Sequence, residues 1–434
     1  MFLISILALI LGLSIYGIVG IKYTNEKKLF FFQFCYIFYY ISIVPVLHIV
    51  YSITAPDLYY IDIKEAFLNL NIVNLITISF TILGFLLGNK VFKKDKIYTN
   101  KEKNINWNSI RTYGIIYCFG ATIYLIYIIL TGDYFYQESK SELIDSSISL
   151  IDYMIIESTP LIVAWVIISH LLIKKSKVFW PYFLLFFITA LVFSGVRGSR
   201  IAVIFQLINF ILLYSFLINK INFRKFLIFL IIGWCFNIVF STYKYGGVEA
   251  LKSYITAGER PTYLANKDSE SLSFLVFDLG RSNIQAKILE NYLQGDYKPP
   301  YFPSTYLNAI NLLLPKDYRF PFDSKRVLGT EAQYGYKGDE DYSSSRIYGL
   351  LGESILNYGL YITFFVFFIY GLIHAYTLIL INNIKNSKFI LFVPLLFFIP
   401  IYFLFYDLDN IIFQVIKNWA FPTLIFILVS RLKS

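Results

Sequence analysis

The sequence predicts an all-α polytopic membrane protein, and three observations carry that prediction. Of 434 residues, 57% are hydrophobic and 20% aromatic, and the mean hydropathy is +0.61. Apolar runs of about 20 residues, the length at which a helix crosses a bilayer, recur from one end to the other. The segments between those runs alternate in charge, as loops on the two faces of a membrane do.

Taken in order, the runs give about 11 spans (10–12). They lie near residues 2–21, 29–51, 72–92, 112–131, 153–173, 178–194, 201–218, 226–243, 358–381, 389–406 and 411–430. No basic leader precedes the first run, which reads as a transmembrane helix and not as a cleaved signal. Lys22, Lys27 and Lys28 follow span one, and Lys90, Lys93, Lys94, Lys96, Lys101, Lys103 and Arg111 follow span three. Lys174, Lys175 and Lys177 follow span five, and Lys220, Arg224 and Lys225 follow span seven. Lys385 and Lys388 follow span nine, and Arg431 and Lys433 close the sequence. On these faces the only acidic residues are Glu26, Asp95 and Glu102. The positive-inside rule makes them cytoplasmic, with the N-terminus outside and the C-terminus inside. The formal charge of +10 is thus a topology signal, and nucleic-acid binding is not expected from it.

This topology divides the chain into 1–243 (spans one to eight), 244–357 (one large extracytoplasmic loop) and 358–434 (spans nine to eleven). Between spans six and seven stands Ser194-Gly195-Val196-Arg197-Gly198-Ser199-Arg200. Arg197 and Arg200 fall on the outer face, where basic residues are sparse, and neither flanking run has a carboxylate. A guanidinium is always charged and offers a fixed fork of donors that suits a phosphate. A headgroup-touching hairpin is the plainer alternative, but a broken charge rule is where function is expected.

The outer loop is charge-balanced. Ser269 to Leu293 reads as one amphipathic helix, with Leu272, Leu275, Val276 and Leu279 on one face and Asp278 and Arg281 on another. The proline-punctuated stretches Lys298–Pro303 and Leu314–Pro321 exclude long helices. After Ser345 the chain reads S-R-I-Y-G-L-L-G-E-S-I-L-N-Y-G-L and enters span nine. Arg346, Gly349, Glu353 and Asn357 recur at helical spacing and form a polar stripe entering the membrane. A carboxylate at that depth is expensive and marks a functional candidate with a partner, the plainer alternative being that Glu353 pairs with Arg346, two turns away, or with another helix purely to stabilise packing. Lys417, six residues into span eleven, is a further cation near the outer surface, although a lysine there can simply snorkel.

Other constellations exclude more than they suggest. Asp407-Leu408-Asp409 has the form of a D-x-D metal motif and Asp339-Glu340-Asp341 is an acidic triplet, yet no further outward ligand cluster accompanies them. No metal site and no cofactor are expected. His48, His170 and His374 all lie in apolar runs, which leaves no histidine-based nucleophile or zinc site. Cys35, Cys118 and Cys235 also lie in apolar runs and imply no disulfide framework. A Gly-Lys-Ser/Thr phosphate loop is absent, so ATP hydrolysis is not expected.

The S-G-x-R-G-S-R hairpin, the long outer loop with its Leu-Pro-Lys and Phe-Pro segments, and G-L-L-G-E-S-I-L-N-Y-G-L together resemble the Wzy-type polymerases of bacterial oligosaccharide repeat units. Gly352, Glu353, Asn357 and Gly359 match that family's closing pattern. Ile355 or Leu356 stands where an aromatic is common, and Tyr358 replaces a phenylalanine. The motif-level likeness covers about residues 190–205 and 300–375.

The resemblance implies a GT-C-like, metal-independent glycosyltransferase of the bacterial cytoplasmic membrane, working on its outer face. An undecaprenyl-diphosphate-linked oligosaccharide would be both donor and acceptor, and the product an O-antigen, common antigen or capsule. A chain-length regulator and a flippase of the same pathway are the partners it implies, besides the lipid bilayer. Glu353 is then the first choice for general base and Asp278 the second. Arg197, Arg200, Arg281 and Arg346 are candidates for the diphosphates, with Arg260, Arg319, Asn357 and Lys417 as further substrate contacts. Rival readings are an O-antigen ligase, which typically relies on an outer-loop histidine not found here, another polyprenyl-phosphate-dependent transferase, and a lipid-linked oligosaccharide flippase.

Overall fold

Helices form every regular element among the described residues of the computed structural model, which are 2–54, 63–92, 105–131, 150–195, 200–219, 228, 232, 236, 252–257, 280–314, 318–336, 346–384 and 388–429. Seven helices are long and apolar enough to cross a membrane: Phe2–Tyr23, Lys27–Val50, Glu65–Phe92, Trp107–Thr131, Met154–Lys174, Gly349–Asn383 and Leu408–Val429. Each coincides with an expected span. Three shorter apolar helices, Trp180–Ser194, Ala202–Leu217 and Ile390–Phe405, occupy three more of the expected positions. Most of the remaining one, near 226–243, lies outside the described residues. The structure is thus that of an all-α chain with several membrane-length helices.

The chain divides into two compact units. The first comprises Met1–Lys101, Leu272–Lys385 and Leu395–Phe413. Its frame is α1 (Phe2–Tyr23), α2 (Lys27–Phe38), a π turn leading to α3 (Val44–Thr54), and α4 (Ile63–Phe92). Crossing the predicted outer segment it adds α9 (Ser282–Gln294), α10 (Ser304–Ile310) and α11 (Lys325–Tyr334). It ends with α12 (Gly349–Asn383), most of α13 (Val393–Phe405) and the start of α14 (Leu408–Val415).

The most extensive packing joins α4 to α12. Small residues permit it: a Cβ on Gly84 would stand 2.0 Å from the Phe368 carbonyl oxygen, and one on Gly371 would stand 2.2 Å from that of Thr81. Backbone-to-backbone approach of this kind supplies the dispersion contacts that hold helices together where lipid removes the hydrophobic driving force. A polar chain crosses the same unit. Tyr16 Oη bonds His374 Nδ1, His374 Nε2 meets Gln33 Oε1 at 2.8 Å, and Gln33 Nε2 donates to the Phe397 carbonyl at 2.9 Å. It ties α1, α2, α12 and α13 by bonds that have no substitute in hydrocarbon.

The second unit comprises Glu102–Ser271, Asn386–Pro394 and Gln414–Ser434. Here α5 (Trp107–Thr131) lies along α6 (Leu150–Lys174), with Trp107 stacked on Trp165 at 6.4 Å and Tyr117 Oη donating to the Ile155 carbonyl at 3.1 Å. Next come α7 (Trp180–Ala190), a π turn over Leu191–Gly195, and α8 (Arg200–Leu217). Phe186 stacks on Phe210 at 4.7 Å and Phe179 meets Tyr214 edge-on at 4.9 Å, which closes α7 against α8. A π turn at Ile416–Ala420 leads into α15 (Phe421–Val429).

Two expectations about local structure need correction. The helix expected from Ser269 to Leu293 does not run through Gly280 and Arg281, which are not helical; α9 begins only at Ser282. A glycine is a poor helix-interior residue, and the Gly280 carbonyl is taken by the Arg281 guanidinium at 3.2 Å. The polar stripe also starts later than expected. Arg346 precedes α12 and is exposed, so only Gly349, Glu353 and Asn357 share the helix. Two residues beyond the expected loop–span boundary at 357, Gly359 (φ 71°, ψ −171°) kinks α12. That backbone region is essentially confined to glycine.

Candidate functional site

The first turns of α12 place Glu353 and Asn357 one turn apart, and both are buried. Each then meets Thr305, from the start of α10. Thr305 Oγ1 donates to Glu353 Oε1 at 2.9 Å, and the Thr305 amide donates to Asn357 Oδ1 at 2.9 Å. Asn357 Nδ2 returns a bond to Thr305 Oγ1 at 2.6 Å and another to the Glu353 carbonyl at 2.7 Å. The second carboxylate oxygen, Oε2, accepts from the Leu408 amide at 2.8 Å. Glu353 therefore bonds Thr305 and the α14 backbone, and the alternative pairing with Arg346 is not made.

Asp407, one residue before Leu408, organises the rest. Its Oδ1 accepts the amides of Tyr348 and Gly349 at 2.8 and 2.9 Å, which caps the start of α12 from another part of the chain. Its Oδ2 lies 2.8 Å from Lys325 Nζ, and the same ammonium lies 2.9 Å from Asp409 Oδ1. The two carboxylates read from sequence as a D-x-D pair thus share a lysine. Burial pushes the Asp407 carboxyl up from its ordinary value while Lys325 pulls against that rise. Burial opposes the charge of Lys325, but Asp407 and Asp409 outweigh it and hold the ammonium above the ordinary lysine value.

Glu353 lines a cavity of about 190 Å³. Its walls include Tyr306, Tyr358, Tyr370 and Tyr406 together with apolar residues such as Val366 and Phe403. Tyr306 and Tyr358 tilt against each other with centroids 5.7 Å apart. The buried Tyr370 hydroxyl has no hydrogen-bond partner among the described residues. An aromatic wall with a carboxylate at one place in it can seat a molecule with apolar faces and present a proton acceptor to one of its hydroxyls.

Arg281 is buried with its guanidinium 4.6 Å from the Phe405 ring centroid, two residues from Asp407. Arg281 itself is not helical, and Asp278 lies outside the described residues. Arg319 and Arg346 are exposed, and no bond of Glu353 or Asn357 reaches them. Arg197 and Arg260 lie outside the described residues, as does the Asp339-Glu340-Asp341 triplet. Arg200 opens α8 and Lys417 sits in the π turn of Ile416–Ala420, but their side chains lie outside the description. Thr305 and Lys325 were not singled out from the sequence. Neither belongs to a motif, and their partners lie 48 and 82 residues away.

Comparison of the chain with family models, with curated proteins and with solved structures gives no match to any of them.

Proposed function

We propose that this chain is a membrane glycosyltransferase that joins undecaprenyl-diphosphate-linked oligosaccharides into a surface polysaccharide. One observation carries the reading: a buried carboxylate, Glu353, is oriented by Thr305 and Leu408 at the wall of an aromatic cavity. In the proposed reaction Glu353 takes the proton from an acceptor hydroxyl. The freed oxygen bonds the donor's anomeric carbon, the bond from that carbon to the diphosphate breaks, and the electron pair leaves with the diphosphate. Arginines suit the charge that develops there, because preorganised donors stabilise a leaving oxyanion without reorganisation. Arg197 and Arg200 are assigned that role on their chemistry, and Arg281, buried in the first unit, is a further candidate for it. The eleven-span, N-terminus-outside topology of the cytoplasmic membrane and a GT-C-like arrangement belong to the same proposal. So do the metal-independent chemistry and a chain-length regulator and flippase as partners.

The test is a polymerisation assay in nanodiscs with excess chelator, using the repeat unit made by the gene's own polysaccharide cluster. A ladder at integer multiples of the repeat is expected. A ladder that forms only with added divalent metal would overturn the metal-independent reaction, and no ladder under either condition would overturn the polymerase reading.

A further inference from the structure

We infer that Lys325 is a positioning residue for Glu353, acting through Asp407, whose carboxylate it pins against the start of α12. The inference rests on the reading of Glu353 as the base. Asp407 is fully buried, and its two oxygens are divided between two tasks. Oδ1 receives the Tyr348 and Gly349 amides, and Oδ2 receives the Lys325 ammonium at 2.8 Å. A helix start leaves its first amides without partners and carries partial positive charge, so an ionised carboxylate there is doubly favoured. Deep burial works the other way, since a carboxylate out of water without a cation takes up a proton. Lys325 on α11, with its side chain 11% exposed, supplies that cation and shares it with Asp409.

The next peptide group transmits the arrangement. Leu408 follows Asp407 directly, and its amide donates to Glu353 Oε2 at 2.8 Å. One short segment therefore holds α12 twice, at its first amides through Asp407 and about one turn later at the Glu353 side chain through Leu408. With Thr305 on the other oxygen, the direction of the carboxylate is fixed from two sides. Lys325 makes no bond to Glu353 and does not line the cavity, so its mechanical effect on the base runs through this clasp.

Amide hydrogen exchange of the full chain in nanodiscs reads the clasp without needing a substrate. Lys325→Met is expected to speed exchange at Tyr348, Gly349 and Leu408 roughly tenfold while α4 exchanges as in the wild type. Lys325→Arg, which keeps the charge, is expected to restore those amides to within about twofold. In the polymerisation assay Lys325→Met is expected to lower kcat about tenfold with little change in the acceptor's KM. Should that variant fail to fold, Lys325→Met combined with Asp407→Asn removes the buried pair as a neutral unit. It is expected to fold and to show the same faster exchange. Unchanged exchange at the three amides, or an acceleration spread evenly over α4 and α12, would overturn the inference. If the wild-type chain makes no polymer, the reading of Glu353 as a base fails, while the exchange result still decides whether Lys325 sets the clasp.

Discussion

Glu353→Gln separates the structural task of this carboxylate from its proposed chemical one. Both oxygens accept bonds, from Thr305 Oγ1 at 2.9 Å and from the Leu408 amide at 2.8 Å. A glutamine offers one acceptor and one donor. The Leu408 amide can only donate, so it keeps the oxygen, and the new amino group faces Thr305 Oγ1. That hydroxyl already accepts from Asn357 Nδ2 and can turn to accept a second bond, so one bond survives and one reverses. The expected loss of stability is about 1 kcal/mol. For a chain of this length that lowers the Tm by about 2 °C. The proton acceptor, by contrast, is lost outright, and general-base catalysis contributes about 10²–10⁴-fold. That corresponds to about 2.7–5.4 kcal/mol of barrier. Initial rates of polymer formation and Tm, measured on the same nanodisc preparation, resolve two effects of such different size. A variant that stays folded and keeps more than about a tenth of the wild-type rate would remove Glu353 as the base. A Tm lower by about 10 °C or more would refute the account of its hydrogen bonds.

Three other outcomes are expected. Gly359→Ala places a Cβ 2.7 Å from the Tyr292 hydroxyl in a backbone region costing about 1–3 kcal/mol for other residues, so a thermal melt should fall by several degrees; an unchanged Tm would mean that the kink is relaxed elsewhere. Lys325 is held above the ordinary lysine value of 10.5, so its contribution to stability is complete below that pH and is lost as pH rises through its higher folded value. Alkaline melts should therefore show a limb that Lys325→Met abolishes, and identical alkaline profiles would refute the pairing. Arg197→Lys should cut polymer formation by at least about tenfold, because the ammonium lacks the bidentate fork; full activity would end the diphosphate role of that residue.

What was legible in the sequence follows the range of the interactions concerned. Seven membrane-length helices fall where apolar runs placed spans, because a run of that kind needs only its own backbone bonds to be stable in lipid. Glu353 and Asn357 were legible for a similar reason: their spacing puts them on one helix face. The helix expected over Ser269–Leu293 failed at Gly280 because apolar periodicity was weighed above a local breaker. Lys325 and Thr305 were beyond reach. Lys325 is one of 38 basic residues, and what distinguishes it is Asp407, 82 residues farther on. Asp407 and Asp409 were noticed, but spacing alone could not tell a metal motif from a pair that shares an ammonium.

The charge of the carboxylate cluster sets a condition on how a polymerase could use it. Glu353, Asp407 and Asp409 are three carboxyl groups, and Lys325 pairs with two of them. Lys325 offsets one of the two charges of Asp407 and Asp409, and like charges about 4 Å apart near a protein surface repel by about 4 kcal/mol, so a diphosphate brought against that pair would meet a penalty. A neutral sugar hydroxyl meets none. Donor and acceptor are the same kind of lipid-linked molecule in the proposed reaction, each with an anionic diphosphate end and a far sugar end. A negative cluster tells those ends apart by repulsion, which is as effective a source of specificity as attraction. In the proposed reaction it would admit an uncharged acceptor sugar and turn a diphosphate away. In the proposed reaction basic groups hold the donor's diphosphate, and the arginines and the carboxylate are assigned to opposite ends of one bond-forming step.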